Sequence, residues 1–220
     1  MRATYLPEPQ LESVSKTVEV RVIVVDDDPG VLTVIGQLLR TNGFNAEEYS
    51  TPMDCLASIS PNDIGCVITD LEMPNVNGIE LQKRLIDLGS CLSVIVVTAH
   101  ADVPRTIQIM SQGAITLLEK PFKSQQLVEA VQEAVIASHK SYDRKIKIAK
   151  SQSLIAELND EELEIMKLAA AGLPNKTISQ KLDLSPRTID RRRQSALAKL
   201  DVVSVADFAV LYATSRQELT

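Results

Sequence analysis

The sequence predicts two domains of different class: an α/β domain with five parallel strands, doubly wound, followed by an all-α domain of four helices. Three observations lead there. Across residues 19–138, short apolar runs rich in Val and Ile alternate with amphipathic helical stripes, which implies a parallel sheet covered on both faces. From residue 154 onward only helical signals occur, each with its own cap or glycine stop. Charge is also divided: residues 1–140 carry 10 Lys/Arg against 18 Asp/Glu, a net −8, whereas residues 141–220 carry 13 against 11, a net +2, so the two parts suit different partners.

Composition narrows the class further. The 220 residues are 45% apolar and only 3% aromatic, with no Trp, as expected for a soluble globular chain packed with Leu, Val, Ile and Ala. No apolar run reaches transmembrane length. Residues 1–18, with Pro7, Glu8, Pro9 and Glu12, resemble neither a signal nor a transit peptide and are expected to form a mobile tail. Cys55, Cys66 and Cys91 are odd in number, form no CxxC and lie in apolar contexts, which points to small buried thiols in a reduced, cytoplasmic protein.

The first strand runs from Glu19 to Val25 and ends on Asp26-Asp27-Asp28-Pro29, where Asp28 suits a helix cap and Pro29 the first helical position. Val31, Val34, Ile35, Leu38 and Leu39 then form a helical stripe that Gly43 stops. Further strands are expected near 45–49, 65–69, 93–97 and 114–118, with helices near 52–59, 77–87, 101–112 and from 124 onward.

The third strand, Cys66 to Thr69, ends on Asp70 just ahead of Met73-Pro74. Alone, an Asp there is better explained as the start of a turn before Pro74. Parallel strands, however, bring all their C-terminal ends to one sheet edge, so Asp26, Asp27, Asp70, Thr98 and Lys120 converge. Three carboxylates so close repel, so either one binds a proton or the group binds a cation, for which a hard divalent ion such as Mg²⁺ fits; a hydroxyl and an ammonium beside them suit a phosphoryl group.

At these residues the chain resembles the receiver domain of two-component response regulators over 19–138. Val25-Asp26-Asp27, Asp70 with Met73-Pro74 and Gly78, Thr98-Ala99 and Lys120-Pro121-Phe122 stand in that family's order, at intervals of 43, 28 and 22 residues from Asp27 to Asp70 to Thr98 to Lys120. The resemblance implies that Asp70 takes a phosphoryl group from a phosphohistidine of a sensor histidine kinase, giving an acyl phosphate. It likewise implies that Asp26, Asp27, Asp70 and the Glu72 backbone carbonyl hold Mg²⁺, that Thr98 and Lys120 orient the phosphoryl group, and that Ala99 leaves it room. By the same resemblance Lys120-Pro121 is a cis peptide and the Glu72 side chain faces solvent; His100, two residues after Thr98, is expected to be exposed, where it either has no role or tunes hydrolysis of the phosphate. One position departs: where most receivers carry Tyr or Phe three residues before the lysine, this chain has Leu117, which leaves movement of the 101–112 helix to carry the signal.

Between Phe122 and Ala171 there is neither Gly nor Pro. Val128, Val131, Val135, Tyr142 and Ile146 recur at three- and four-residue spacings, compatible either with a long helix that pairs with its copy or with an ordinary helix followed by coil. Lys140, Arg144, Lys145, Lys147 and Lys150 form a basic cluster that reads as a solvated face or as a nucleic-acid contact. Residues 139–153 are therefore the linker, and 154–220 the second domain.

There, Asn159-Asp160-Glu161-Glu162 opens a helix with a capping-box pattern and Gly172 stops it; Asn175 to Leu182 gives a second helix, Asp183-Leu184 a turn, and Ser185-Pro186 a strong third start. Two such helices across so short a turn read as helix-turn-helix. On the third, Ile189, Ala196, Leu197 and Leu200 share one side, while Arg187, Arg191, Gln194 and Ala198 lie opposite and suit a major groove of double-stranded DNA. Lys176, Thr188 and Arg192 lie nearer the edges and suit phosphates, Arg193 falls on the apolar side, where a structural role or a backbone contact suits it better than base reading, and Asp190 repels phosphate unless it is paired with a neighbouring Arg.

Residues 154–213 resemble the LuxR/FixJ-type DNA-binding domain through Leu158 with Glu162, Ala171-Gly172-Leu173, Asn175-Lys176 with Ile178, Leu184 to Ile189, and Lys199-Leu200. A fourth helix near 203–213 contributes to dimerisation in that family. Thr177 and Arg191-Arg192 depart from its usual residues, so the target sequence does not carry over. Together the two resemblances identify a transcription regulator of the FixJ/NarL class, with a homodimer expected on phosphorylation. Two other readings compete. A haloacid dehalogenase-type phosphatase also uses Asp26 and Asp28 flanking one residue after a strand, but its later acidic motif is missing. A phosphate-independent adaptor would not need the intact acidic pair, Thr98 and Lys120.

Overall fold

The computed structural model describes residues 19–99 and 103–217. These residues form two compact units that divide between Ser138 and His139. The expected tail at 1–18 and the expected role of His100 lie outside the described residues.

In the first unit, strands β1 (Val20–Val25), β2 (Ala46–Tyr49), β3 (Ile64–Asp70), β4 (Ser93–Thr98) and β5 (Thr116–Glu119) alternate with helices α1 (Pro29–Thr41), α2 (Pro52–Ser58), α3 (Gly78–Asp87), α4 (Val103–Ser111) and α5 (Ser124–Ile155). All pairings are parallel, in the order β2-β1-β3-β4-β5, so the strand order reverses between β1 and β3. Alternate residues of β1 serve opposite faces. Ile23 and Val25 pack with Cys55 of α2, Leu81 and Leu85 of α3 and Ile109 of α4. Val22 and Val24 pack with Leu32, Ile35 and Leu39 of α1 and Leu127, Val131 and Ala134 of α5. Two covered faces explain why the strands read as near-continuous apolar runs.

Local chemistry sets the ends. Asp28 caps α1, accepting from the N–H of Gly30 at 2.7 Å, with Pro29 behind it, as the sequence suggests. Thr51 caps α2 and Asn77 caps α3. Strand β5 starts two residues later than expected, because Gly113, at φ +91°, and Ala114 are taken up in closing α4, their N–H groups bonding the carbonyls of Met110 and Ile109. All three cysteines are buried and unpaired, and burial pushes the Cys55 and Cys66 thiols up to about 12.

Helix α5 runs unbroken to Ile155, so the stretch 139–153 is helical. In the second unit it is followed by α6 (Asp160–Ala170), α7 (Asn175–Leu182), α8 (Pro186–Lys199) and α9 (Val205–Ser215). Leu158, Met166, Ala196, Leu200 and Phe208 make one core, and Ile165, Ile178 and Ile189 a second where α6, α7 and α8 meet. The turn between α7 and α8 holds Asp183 at φ +54°, with the Leu184 N–H on the Ser179 carbonyl at 3.1 Å. Helix α9 begins two residues past the expected start, because Ser204 is its cap, accepting from the Asp207 N–H.

Candidate functional site

Asp26 is the first residue beyond β1, Asp70 the last of β3, Thr98 the last of β4, and Lys120 follows β5. The sheet therefore gathers all four at one edge, next to the reversal in strand order where open parallel sheets bind ligands. Asp26 is buried, Asp27 exposed and Asp70 partly buried, and ligand oxygens of the three carboxylates lie within 4.8 Å of one another. Lys120 Nζ stands 3.0 Å from Asp26 Oδ2 and 3.5 Å from Asp70 Oδ1. The other oxygen of Asp26 accepts the Asp28 N–H at 2.9 Å, which fixes the buried carboxylate. Burial pushes the Asp70 carboxyl up; Lys120 opposes this and Asp26 adds to it. The Thr98 side chain is buried at the strand end, and Ala99 beside it is exposed.

The donor set is all hard carboxylate oxygen, suited to a divalent metal ion. Beside it lies an open cavity of about 530 Å³, lined by Asp27, Leu71, Glu72, Met73 and Pro74. Glu72 is exposed, as expected, and Lys120-Pro121 is cis. Leu117 packs half-buried into the cluster that includes Ile109 of α4, so the position usually aromatic is a core position here.

Gly78 keeps the loop after Asp70 close. A Cβ there would meet the Asp70 carbonyl oxygen at 2.5 Å and Leu71 Cα at 3.3 Å, both backbone atoms that cannot swing aside. Gly78→Ala is expected to displace the Asp70–Leu71 backbone and slow phosphoryl uptake from acetyl phosphate roughly 10-fold or more, measured by intact-mass spectrometry over time, since misplacing a reacting group by a fraction of an ångström costs that much.

In the second unit, Arg187, Arg191, Gln194 and Ala198 of α8 are exposed, while Ile189, Ala196 and Leu200 are buried. Lys176 is exposed on α7. The remaining two expected DNA contacts are engaged within the protein: the Thr188 hydroxyl lies 2.8 Å from Ser185 Oγ, and Arg192 Nη2 is 3.0 Å from Glu161 Oε2. Asp190 is paired, but with the Asn175 amide rather than with an arginine, and Arg193 donates to Asn175 Oδ1 at 2.6 Å. Helical periodicity places Asp190 and Arg193 but not their shared partner Asn175, which depends on how α7 and α8 pack. Glu162 does more than cap: besides its reciprocal bonds with Asn159, it accepts from Ser195 at 2.8 Å and Lys199 at 2.6 Å, tying α8 to α6.

Residues 22–132 match the family described as the response regulator receiver domain, and residues 156–212 match the bacterial regulatory proteins of the luxR family. The chain is a response regulator with a LuxR-type DNA-binding domain. Among the relatives of this regulator, the transcriptional regulatory protein FixJ of Rhizobium meliloti is 33% identical over 187 residues, covering 84% of this chain and 90% of FixJ. FixJ of Bradyrhizobium diazoefficiens is 30% identical, covering 89% and 95%. Among solved structures, the response regulator StyR aligns with a TM-score of 0.73 at 32% identity, over 88% of this chain and 98% of StyR; full-length FixJ from B. japonicum aligns at 0.53 and 30%, over 90% and 98%. The response regulator thus takes a phosphoryl signal at its receiver, with a histidine kinase as partner, and controls DNA binding and transcription through the second domain. Its chemistry is confined to its own phosphorylation and dephosphorylation, which sets the phosphatase reading aside. No helix among the described residues is long and apolar enough to cross a membrane.

Proposed function

We propose that Asp70 is the phosphoacceptor and that its phosphorylation drives a cytoplasmic homodimer onto paired DNA half-sites. The observation that carries this is the meeting of Asp26, Asp27 and Asp70 with the Lys120 ammonium within 3.5 Å of Asp70. An Asp70 carboxylate oxygen attacks phosphorus, the bond from phosphorus to the kinase imidazole breaks, and its electron pair stays on the nitrogen. Lys120 neutralises the added charge, and the Thr98 hydroxyl donates to a phosphoryl oxygen. Asp26, Asp27, Asp70 and the Glu72 carbonyl would hold Mg²⁺, which when bound offsets the repulsion among the carboxylates and the phosphoryl oxygens. The domains are residues 19–138 and 154–220, after a tail at 1–18 and joined by a helical extension at 139–153.

At the DNA, Arg187, Arg191 and Gln194 read base edges, while Lys176, Thr188 and Arg192 hold phosphates once Arg192 exchanges Glu161 for the backbone. Light scattering with Mg²⁺ and acetyl phosphate should show a shift from monomer to dimer, together with tighter binding to a selected operator fragment. Phosphorylation of Asp70 with no change in mass or affinity would defeat the dimer switch.

A further inference from the structure

Asp190 is an anion on an otherwise cationic reading face. On α8 it stands one turn after Arg187, next to Arg191 and one turn before Gln194, and all four are exposed. An exposed carboxylate free to move would swing toward a neighbouring guanidinium. This one is held: Asn175 Nδ2 donates to Asp190 Oδ1, and Asn175 Oδ1 accepts from Arg193 Nη1 at 2.6 Å. Arginine only donates, so the amide oxygen must face Arg193 and its NH₂ must face Asp190. The relay fixes the carboxylate, and among the described residues Asp190 Oδ2 takes no hydrogen bond.

A fixed, acceptor-only group near phosphates is repelled unless it meets a donor. In the major groove guanine offers two acceptors and thymine one acceptor, while adenine sets its amino group beside the N7 acceptor; cytosine alone presents an amino donor without an adjacent acceptor. We propose that Asp190 is a specificity-determining residue that accepts from the N4 amino group of cytosine at one position of each half-site and rejects the other bases there. This rests on the reading in which α8 enters the major groove.

The test is selection of duplexes from a randomised library by the full chain, treated with Mg²⁺ and acetyl phosphate, comparing wild type with Asp190→Ala, Asp190→Asn and Arg191→Ala. Asp190→Ala should reduce a roughly tenfold preference for cytosine at one position to less than about twofold, leave the other positions unchanged, and raise affinity for unrelated DNA by removing a negative charge. Asp190→Asn can still accept from Asn175 but turns an NH₂ donor outward, and should move the preference at that position from cytosine to bases that offer an acceptor there, guanine first. A merely structural role would not change one base for another. If Arg191→Ala alters the selected motif while both Asp190 variants keep the wild-type motif, the inference is overturned and the reading of α8 stands. If Arg191→Ala leaves the motif unchanged as well, the reading of α8 itself falls, and the role of Asp190 falls with it.

Discussion

Asp70→Asn, treated with Mg²⁺ and acetyl phosphate, is expected to gain no phosphoryl group and to show no shift in mass by light scattering, a loss of at least about 100-fold in phosphorylation rate. An amide oxygen is a far weaker nucleophile than a carboxylate, and neither Asp26 nor Asp27 takes over: Asp26 is buried and held by the Asp28 N–H and Lys120, while Asp27 is exposed and the Lys120 ammonium pairs with Asp26 and Asp70 instead. The variant should fold. Asp70 has its carboxyl pushed up by burial, with Asp26 adding to this, so the ionised form is disfavoured in the folded chain. A raised acid contributes its stability at low pH and loses it as pH rises through the folded value. At neutral pH without divalent ions, the uncharged Asn therefore relieves a cost, and the receiver's unfolding midpoint should rise rather than fall. A phosphoryl adduct on the Asn variant, located elsewhere by peptide mapping, would remove Asp70 from its assigned role.

The convergence at this site is legible in the sequence because it depends on direction alone. Once β1, β3, β4 and β5 are parallel, Asp26, Asp70, Thr98 and Lys120 must share an edge, whatever the loops between them do. Helix caps are legible for a similar reason: Asp28, Asn159 and Ser185 bond groups two or three residues away. Contacts between distant side chains are not. The Ser138 hydroxyl, buried on α5, accepts the N–H of Gly65 at 2.8 Å across 73 residues, and Arg21 reaches Glu47 at 2.6 Å across 26. Nothing in local spacing announces either. The length of α5 falls between these cases: the absence of Gly and Pro permits continuation, but its weak apolar stripe after Ser138 does not require it, and burial of Ile148 and Ser151 in the second unit supplies what the pattern lacks. Arg192 shows the same limit on α8, since its place on the helix is fixed by periodicity whereas its partner, Glu161, is fixed by packing.

Glu162→Leu is expected to destabilise the second unit by about 2–4 kcal/mol while leaving phosphorylation of Asp70 unchanged. Glu162 is 1% exposed and accepts from the Asn159 N–H, Ser195 Oγ and Lys199 Nζ, so its loss removes half of a capping box and two bonds between α6 and α8. The ion pair itself adds less, because the Lys199 side chain is 39% exposed and solvent screens it. Most of the cost comes from the buried hydrogen bonds. Hydrogen exchange in peptides covering α6 and α8 should accelerate, with the receiver strands unaffected, and DNA affinity should fall because Ser195 and Lys199 no longer anchor the reading helix. The pH dependence separates charge from shape. Burial alone would push the Glu162 carboxyl up, but the bonds from Lys199, Ser195 and Asn159 outweigh it and hold it below the usual carboxylate range. A depressed acid contributes stability above its unfolded value and loses it as pH falls through the folded one. The difference between wild type and Glu162→Leu should therefore be constant near neutrality and shrink as pH drops below the ordinary carboxylate range. A difference that stays the same down to acid pH would mean that Glu162 acts through packing volume, and that its hydrogen-bonded charge is not what ties α8 to α6.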